Sequence, residues 1–419
     1  MNLMGQSIEK FVDNVQIDKS FKGQVSVEHR SNNPKRSFVF VNSLLGKHIP
    51  ANPVNVMKTF RSVYKKTIEK CDGLNIGDRV TVIGFAETAT AFGHAIADEF
   101  ATAGYDTYYL QTTREELSDA QILCEFQEEH SHATEQYLYG NITHMALSKY
   151  IIIVDDEIST GKTVLNMIEK FKSLGLTKSK YIVASICNWM TPENQKKFKK
   201  ENIESVYLVS GTLKDKSMKV ECTVKPDIPE YPYKGSFSNN INTTTYFNSC
   251  NNRVPVFKSE RSGIYIDRQE LRARKDLCLS VACHIGNSLT GYDNNVLILG
   301  AEESMYNGIL IGENLKDIYR AGVRTVRFHA SSRSSIDCME DSSKDLGIKK
   351  NNHLNNKTYL RSCYDPTRKV CIYNLAKYDA IFVITDKEPS YQFRLDTEEA
   401  LRAFGNHGNV KFIVLNTYN

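Results

Sequence analysis

Short uninterrupted runs of apolar residues alternate with longer segments of helical periodicity along this chain. At positions 150–154 the sequence reads Tyr-Ile-Ile-Ile-Val, with no polar residue in the run. Such a run is typical of a strand that is buried on both faces in the centre of a parallel sheet. After it come Val164, Leu165, Ile168 and Phe171, whose spacing places them on one face of a helix.

The same alternation continues on both sides of this central run. Apolar runs predict strands at 37–41, 79–84, 106–114, 180–187, 205–209 and 295–300. Helical spacing of apolar residues predicts helices at 53–70 and 271–285. Strands that alternate with helices in this way predict an α/β fold in which the sheets are mainly parallel and flanked by helices.

The pattern of the first half returns in the second half. Residues 82–88 (Val-Ile-Gly-Phe-Ala-Glu-Thr) are answered by 297–304 (Leu-Ile-Leu-Gly-Ala-Glu-Glu-Ser), and Thr-Thr-Arg at 112–114 is answered by Ser-Ser-Arg at 331–333. Self-similarity over this length predicts a second α/β domain of the same plan. This repeat is degenerate, because no glycine-containing phosphate turn follows its last apolar run at 380–384.

Proline-rich sequence separates the two halves. Prolines at 226, 229 and 232 precede a stretch rich in Ser, Asn and Thr, which is typical of an inter-domain connection. We therefore expect a first α/β domain at 20–215, a linker at 216–260 and a companion α/β domain at 261–419.

Two carboxylates end the central apolar run, and a hydroxyl-rich turn follows them. Asp155 and Asp156 stand at the carboxyl end of the predicted strand, where open α/β sheets bind ligands. The turn comprises Ser159, Thr160, Gly161, Lys162 and Thr163. Its glycine lets backbone amides approach a phosphate, and the N-terminus of the following helix favours negative charge. Because carboxylates suit sugar hydroxyls or a Mg²⁺ ion shared with a second phosphate group, the stretch predicts a site for a phosphorylated sugar.

Two other interpretations of this stretch stay open. The sequence Gly161-Lys162-Thr163 copies the end of a Walker A loop, but Asp156 takes the position of the first glycine, and its carboxylate would lie where nucleotide phosphates bind. An ordinary core strand followed by a capped helix would give the same apolar pattern. Nothing structural, however, requires two adjacent acids before a glycine turn.

Other stretches also carry candidate functional residues. The small residues from Gly84 to Gly93 suit either close approach of the backbone to a ligand or close packing of a helix on the sheet. Arg114 ends the next strand, where it would meet a ligand or form a surface ion pair. Carboxylates and imidazoles are dense between 125 and 135, and this density suggests a metal site. Their spacing, however, is not that of a zinc site.

The central stretch resembles the motif with which type I phosphoribosyltransferases bind 5-phosphoribosyl 1-pyrophosphate (PRPP): an apolar strand, two acids, two spacer residues and a Thr-Gly-x-Thr loop. Glu157 departs from this motif, since the family usually has an apolar residue there. Residues 45–50, 84–90 and 129–134 further resemble phosphoribosyltransferase proteins of tellurite-resistance-type stress loci. That group carries a companion C-terminal domain, so the resemblance covers nearly the whole chain.

The resemblance implies a role for each of these stretches. It implies catalytic roles for Asp155, Asp156 and Glu157, with both aspartates also ligating Mg²⁺. It places the 5-phosphate of PRPP on the 159–163 turn. Pyrophosphate binding is implied for Gly84, Phe85, Ala86, Glu87, Thr88 and Arg114. A mobile hood over the reacting carbon is implied for Glu129, His130 and His132.

Composition narrows the choice of partners and compartment. The chain of 419 residues has 53 Lys and Arg against 49 Asp and Glu, a net charge of only +4, so nucleic-acid binding has no compositional support. Its ten cysteines are scattered and read as reduced thiols of a cytoplasmic protein. Residues 1–19 lack the apolar core of a signal peptide, and no apolar run is long enough to span a membrane. A homodimer is compatible with the sequence.

The function that these expectations favour is phosphoribosyl transfer from PRPP, with Mg²⁺, to an unidentified small acceptor such as a nucleobase-like compound. Pyrophosphate would be released. A regulator that senses PRPP without turning it over is the alternative, and the acidic Glu157 and the degenerate second half favour it. Measurement of pyrophosphate release separates the two.

Overall fold

The structure of this protein is a computed structural model, which describes residues 6–30, 36–117, 120–127, 135–214, 244–248, 265–318, 325–333, 336–338, 357–406 and 409–416. The helices are α1 (Pro53–Ile68), α2 (Ala89–Ala103), α3 (Ile142–Ala146), α4 (Lys162–Ser173), α5 (Pro192–Lys200), α6 (Arg268–Ser288), α7 (Met305–Ile318) and α8 (Tyr391–Ala403). The strands of the first half are β1 (Val12–Ile17), β2 (Val25–Arg30), β3 (Phe38–Asn42), β4 (Arg79–Gly84), β5 (Asp106–Thr113), β6 (Ile122–Gln127), β7 (Glu135–Tyr139), β8 (Tyr150–Ile158), β9 (Lys180–Asn188), β10 (Ile203–Val206) and β11 (Val209–Leu213). Those of the second half are β12 (Thr244–Asn248), β13 (Tyr265–Ile266), β14 (Asn295–Gly300), β15 (Thr325–Ala330), β16 (Ile336–Cys338), β17 (Lys357–Arg361), β18 (Lys369–Tyr373), β19 (Ala380–Thr385) and β20 (Asn409–Asn416).

The first sheet has the order β1-β11-β9-β8-β4-β5-β7-β6, with β10 beside β9 and β13 beside β5. Its central strands β9, β8, β4 and β5 are parallel, as the alternation of strands and helices predicted. Antiparallel strands extend both edges. The predicted strand at 205–209 is wrong, because β10 and β11 are two strands that pair with successive parts of β9.

Strand β8 separates two apolar cores. Ile152 and Val154 pack into the core that contains α1 and α2, whereas Ile151 and Ile153 pack into the core that contains α4. All four side chains are fully buried. The prediction of a central strand buried on both faces is therefore confirmed, and each face contributes through alternate residues of the strand.

The second sheet is parallel throughout its described strands and has the order β12-β20-β19-β14-β15. Its four strands β20-β19-β14-β15 follow the chain in the same permutation as β9-β8-β4-β5 of the first sheet. Strand β12 lies inside the segment that was predicted to be only a linker. It pairs with β20, so part of that segment belongs to the second sheet.

The two halves share a core, and strands of the second half join sheets of the first half. Phe92 of the first half lies in one apolar cluster with Ile309 and Phe328 of the second half. Strand β13 adds to the first sheet beside β5, and β16 pairs with β2 in a small sheet with β3. Helix α7 packs against both α1 and α2. The carboxyl edges of the two sheets thereby come into contact, which matters for the candidate site.

Candidate functional site

The two candidate aspartates lie near the carboxyl end of β8, where this strand still pairs with β9. Asp155 pairs with Ser185 of β9, and the strand runs on to Ile158, four residues further than the apolar run alone indicates. Asp155, Asp156 and Glu157 are all half-buried. Their carboxylates thus stand at the carboxyl edge of the sheet, where the pattern predicted them.

Asp156 is held in a site that disfavours its ionised form. Burial raises the pKa of Asp156 above its ordinary value, and the nearby charge of Glu157 raises it further. The charge of Lys47 and a hydrogen bond with the side chain of Asp155 act in the opposite direction. The two aspartates therefore interact directly, as a pair that receives a cation or sugar hydroxyls would do.

Glu157 is engaged by Arg36, a residue that the sequence analysis did not single out. Nη1 of Arg36 lies 2.8 Å from Oε1 of Glu157, and Nη2 lies 3.4 Å from Oε2. The same guanidinium stacks over the rings of Phe38 and Phe40, at 4.9 Å and 5.2 Å from their centroids. The carboxylate that departs from the family motif is therefore neutralised by a cation that lies just before β3.

The predicted phosphate turn leads into α4 as expected. Gly161 has φ +74°, and α4 begins at Lys162 with no side-chain cap. The N–H of Lys162 donates to Oγ1 of Thr160 at 3.3 Å. Ser159, Thr160 and Thr163 are half-buried, and Lys162 is exposed. The N-terminus of α4 thus presents amides and hydroxyls at the strand end next to the two aspartates.

Gly161 is required at its position for reasons of space as well as conformation. A Cβ there would lie 2.6 Å from the ring of Phe198 and 2.8 Å from Sδ of Met190. Non-glycine residues also rarely adopt its positive φ. The sequence analysis argued this glycine only from the approach of a phosphate, and the packing against α5 adds a second cause.

The loop after β4, residues 84–88, lies beside the end of β8. The N–H of Phe85 donates to the carbonyl of Val154 at 3.0 Å, and the N–H of Ala86 donates to Oγ1 of Thr112 at 2.7 Å. Nζ of Lys47 donates to Oγ1 of Thr88 at 2.7 Å. The positive charge of Lys47 also acts to lower the pKa of Asp156, so Lys47 links this loop to the aspartate pair.

Close packing of a helix on the sheet accounts for the glycines here. A Cβ on Gly93 of α2 would lie 2.7 Å from the Cα of Gly84, and one on Gly84 would lie 2.8 Å from the carbonyl of Ala89. The small residues therefore allow α2 to pack closely on the sheet, which is one of the two roles expected for this stretch. It does not exclude a ligand, since the loop itself faces the carboxyl edge of the sheet.

Two other candidates lie where the halves meet. The carboxylate of Glu87 accepts from the backbone N–H of Arg333, at 3.2 Å from each oxygen. The backbone N–H of Arg114 donates to Oε1 of Glu303 at 3.4 Å. The sequence analysis missed the partners Arg333 and Glu303 as site residues, although the internal repeat that it identified pairs them with Arg114 and Glu87.

The predicted hood residues Glu129, His130 and His132 lie outside the described residues. The strands on either side of them, β6 and β7, form an antiparallel pair that extends the sheet beyond β5. Trp189, at the end of β9, is buried and packs on Phe40 with ring centroids 4.7 Å apart.

Among the described residues, no group of three or more His, Cys, Asp or Glu is arranged to hold a metal ion. Mg²⁺ is commonly held by only one or two carboxylates together with waters and substrate phosphates. The adjacent carboxylates of Asp155 and Asp156 fit that requirement. None of the described helices combines the length and apolar character that crossing a membrane requires.

Comparison of the sequence with known families gives two matches. Residues 25–212 match the family described as phosphoribosyl transferase. Residues 258–400 match the TRSP domain, described as C-terminal to that phosphoribosyl transferase. The two matched regions follow one another in the order that this description states. No curated protein matches the chain.

Solved structures similar to this chain include phosphoribosyltransferases. Adenine phosphoribosyl transferase from Trypanosoma brucei has 15% identity over 46% of this chain and 78% of its own, with a TM-score of 0.34. The enzyme from Rhodothermus marinus has 15% identity over 45% and 96%, with a TM-score of 0.31. Orotate phosphoribosyltransferase from Aeropyrum pernix has 16% identity over 48% and 90%, with a TM-score of 0.26.

Proposed function

Because this chain belongs to the family in which a phosphoribosyl transferase region is followed by a TRSP domain, we propose that it transfers the phosphoribosyl group of PRPP to a small acceptor. The observation that carries the proposal is the arrangement at the end of β8. Two interacting aspartates stand beside the amide-rich N-terminus of α4 and beside the 84–88 loop, which Lys47 contacts through Thr88. Few ligands other than a doubly phosphorylated sugar need all three.

The 159–163 turn would hold the 5-phosphate. Its backbone amides at the start of α4 and the hydroxyls of Ser159, Thr160 and Thr163 are donors, and the helix N-terminus favours negative charge. Lys162 is exposed and would contribute mainly its amide. This use of the turn differs from a Walker A loop, in which the lysine side chain reaches the phosphates.

The 84–88 loop with Lys47 would hold the pyrophosphate, and the aspartates would hold the ribose hydroxyls. Asp155 and Asp156 would also hold Mg²⁺, which would supply positive charge against the negative charge that develops on the leaving group. Bond breaking between C1 of the ribose and the pyrophosphate oxygen leaves the electron pair on the pyrophosphate. The positive sugar ring would lie next to Asp155 and Asp156, whose carboxylates would stabilise it until the acceptor forms the new bond at C1.

In this proposal the halves have different tasks. The region 20–215 binds PRPP, the 216–260 segment connects the halves and supplies β12, and 261–419 is a companion that has kept the strand order but not the phosphate turn. We interpret the second sheet as a degenerate repeat, because its strands β20-β19-β14-β15 repeat the order of β9-β8-β4-β5. We also assign the protein to the cytoplasm, on its scattered cysteines and the polar sequence of residues 1–19, and to a stress response, on the resemblance given above.

The test is calorimetric titration with PRPP and Mg²⁺, followed by a pyrophosphate-release assay with a panel of nucleobases and amines. Binding together with acceptor-dependent release supports a transferase. Absence of PRPP binding refutes the proposal. The Walker A interpretation is tested in the same experiment by titration with ATP, which we expect not to bind.

A PRPP-sensing regulator is the second candidate, and the Arg36–Glu157 ion pair favours it. Glu157 stands beside Asp156, and its pairing with Arg36 introduces bulky groups at the edge where the acceptor would approach. Tight PRPP binding with no pyrophosphate release against any acceptor in the panel would favour this function over transfer.

A further inference from the structure

Two loops that follow corresponding strands of the two sheets exchange contacts. Glu87 follows β4 and accepts from the backbone N–H of Arg333, which lies just beyond β15. Glu303 follows β14 and accepts from the backbone N–H of Arg114, which lies just beyond β5. Each half therefore has a carboxylate that accepts a hydrogen bond from a backbone N–H of the other half. Thr90 adds to the junction, since its Oγ1 lies 2.9 Å from the carbonyl of Glu87 and 3.1 Å from that of Glu303.

The side chain of Arg333 is anchored on both sides of this junction. Its Nε lies 3.2 Å from Oε2 of Glu302 in the second half, and its Nη2 contacts the carboxylate of Glu115 in the first half. The guanidinium is only 11% exposed. Because both of its ion-pair partners hold it in place, its backbone amide is fixed relative to Glu87.

Glu302 is itself fixed by the second half. Its Oε1 accepts from Oγ of Ser362 at 2.6 Å and from the N–H of Cys363 at 2.9 Å. The side chain of Glu302 is 1% exposed. A continuous series of contacts thus runs from the turn after β17, through Glu302 and Arg333, to the carboxylate of Glu87.

Charge makes Arg333 necessary at this point. Its guanidinium interacts with four carboxylates, those of Glu87, Glu115, Glu302 and Glu303. Without this cation, like charges from the two halves would face one another in a buried site, which is costly. The 84–88 loop carries one of these carboxylates, that of Glu87, so loss of the cation acts on this loop directly.

We propose that Arg333 is a positioning residue by which the second half fixes the 84–88 loop in the conformation that binds pyrophosphate. The inference rests on the proposed function and adds a task for the TRSP region. Arg333 does not touch the substrate in this role. It acts through Glu87, and its loss should affect ligands that carry pyrophosphate and spare those that do not.

The test compares Arg333→Gln with the parent and with Arg361→Gln as a matched control. Arg361 also belongs to the second half, where its Nε pairs with Asp396 at 3.3 Å, and it is more exposed. Affinities for PRPP with Mg²⁺ and for ribose 5-phosphate are measured by calorimetry. Without the guanidinium the backbone N–H of residue 333 is no longer anchored by Glu302 and Glu115. Weakening of its charge-assisted hydrogen bond to Glu87 should weaken PRPP binding about tenfold in Arg333→Gln. Ribose 5-phosphate binding should stay unchanged, as should both affinities in Arg361→Gln.

Amide hydrogen exchange of residues 84–90, measured without ligand, gives a second readout. We expect faster exchange in Arg333→Gln than in the parent, and recovery of both exchange and PRPP affinity in Arg333→Lys, which restores the charge. If Arg333→Gln fails to fold by thermal melting, Ser362→Ala replaces it. That variant removes one donor to Glu302 and should show the same selective loss at smaller size.

The outcomes separate this inference from the function on which it rests. A parent that binds neither PRPP nor ribose 5-phosphate refutes the proposed function, and the inference with it. A parent that binds PRPP, together with an Arg333→Gln variant of unchanged affinity and exchange, refutes the inference alone. Equal losses of PRPP and ribose 5-phosphate binding would also overturn it, because they indicate general disruption of the site.

Discussion

Arg36 and Glu157 form a two-point ion pair across 121 residues of sequence, with 2.8 Å between Nη1 and Oε1. This pair predicts a mild effect for Glu157→Gln. Because the carboxylate is engaged by Arg36, its charge is not free for a ligand, and its loss should reduce turnover by less than about threefold, the range of a partly exposed ion pair. Steady-state kinetics with PRPP measures this. Loss of turnover as large as in the aspartate variants would make Glu157 a catalytic residue after all.

The double variant Asp155→Asn, Asp156→Asn should keep the fold and lose at least about tenfold in PRPP affinity or turnover, which corresponds to about 1.4 kcal/mol. Burial raises the pKa of Asp156, so the fold already disfavours its ionised form. A neutral amide should therefore cost little stability at neutral pH. Thermal melting and calorimetry measure the two effects. Unchanged affinity and turnover would contradict the placement of the site.

Substitutions at 161 and 162 distinguish the two kinds of phosphate loop. Gly161→Val should abolish PRPP binding, and it should also destabilise the chain, because Phe198 and Met190 leave no room for a Cβ and the positive φ alone costs about 1–3 kcal/mol. Gly161→Ala is the gentler form of the same test. Lys162→Ala should bind PRPP nearly as the parent does. Tight ATP binding in the parent that is lost in Lys162→Ala would instead identify a Walker A site.

The chain should bind one PRPP rather than two. At the carboxyl edge of the second sheet, the hydroxyl of Tyr364 lies 2.7 Å from Oδ1 of Asp386 and 3.2 Å from the carbonyl of Ala301. The turn after β17 therefore occupies the place between the ends of β14 and β19 that corresponds to the candidate site of the first sheet. Calorimetric stoichiometry measures this, and a value near two would contradict it.

Stability should fall as the pH rises through the titration of Glu302. Burial raises the pKa of Glu302 from 4.5 to about 7, against the opposing effects of Arg333 and Ser362 and with a further rise from Glu87 and Glu303. Below about pH 4.5 the carboxyl is protonated in both the folded and the unfolded chain, and this contribution is fully present. Between that pH and about 7 only the unfolded chain ionises, so the contribution is lost.

The loss should be on the order of 3 kcal/mol, since each pKa unit corresponds to about 1.36 kcal/mol. Urea unfolding on both sides of this pH window measures it, with Glu302→Gln as the control. The control cannot titrate at this position, so its free energy of unfolding should fall less. Identical pH profiles of the two proteins would contradict the prediction.

The local sequence pattern was sufficient to predict the central strands of the first sheet and the position of its candidate ligand-binding groups. The run at 150–154, the two acids and the glycine turn are adjacent in sequence, so their order alone determines strand, edge and helix N-terminus. Whether these groups bind PRPP stays a prediction. The contacts of Arg36 with Glu157 and of Arg333 with Glu87 join residues 121 and 246 positions apart. No periodicity records such pairs, because they depend on how the halves pack.

Strand β12 shows a different limit of sequence reasoning. Its residues Thr-Thr-Tyr-Phe-Asn follow a stretch rich in Asn and Ser, which was interpreted as part of a linker. The strand is stabilised by its pairing with β20 at the edge of the second sheet. Tertiary pairing of this kind overrides weak local preference, which is why edge strands are difficult to predict from sequence.

The strands that the second half adds to the sheets of the first half determine how the protein must fold. Strand β13 completes the first sheet, β16 pairs with β2, and Ala51 bridges to Phe328 of β15. Each of these pairings closes a loop of many residues before it contributes any stability, and such a topology folds slowly. Neither half can reach its native hydrogen bonding before the other is present. During synthesis, the edge of the first sheet beside β5 therefore stays open until β13 of the second half has been made. A chaperone would protect the chain at this stage.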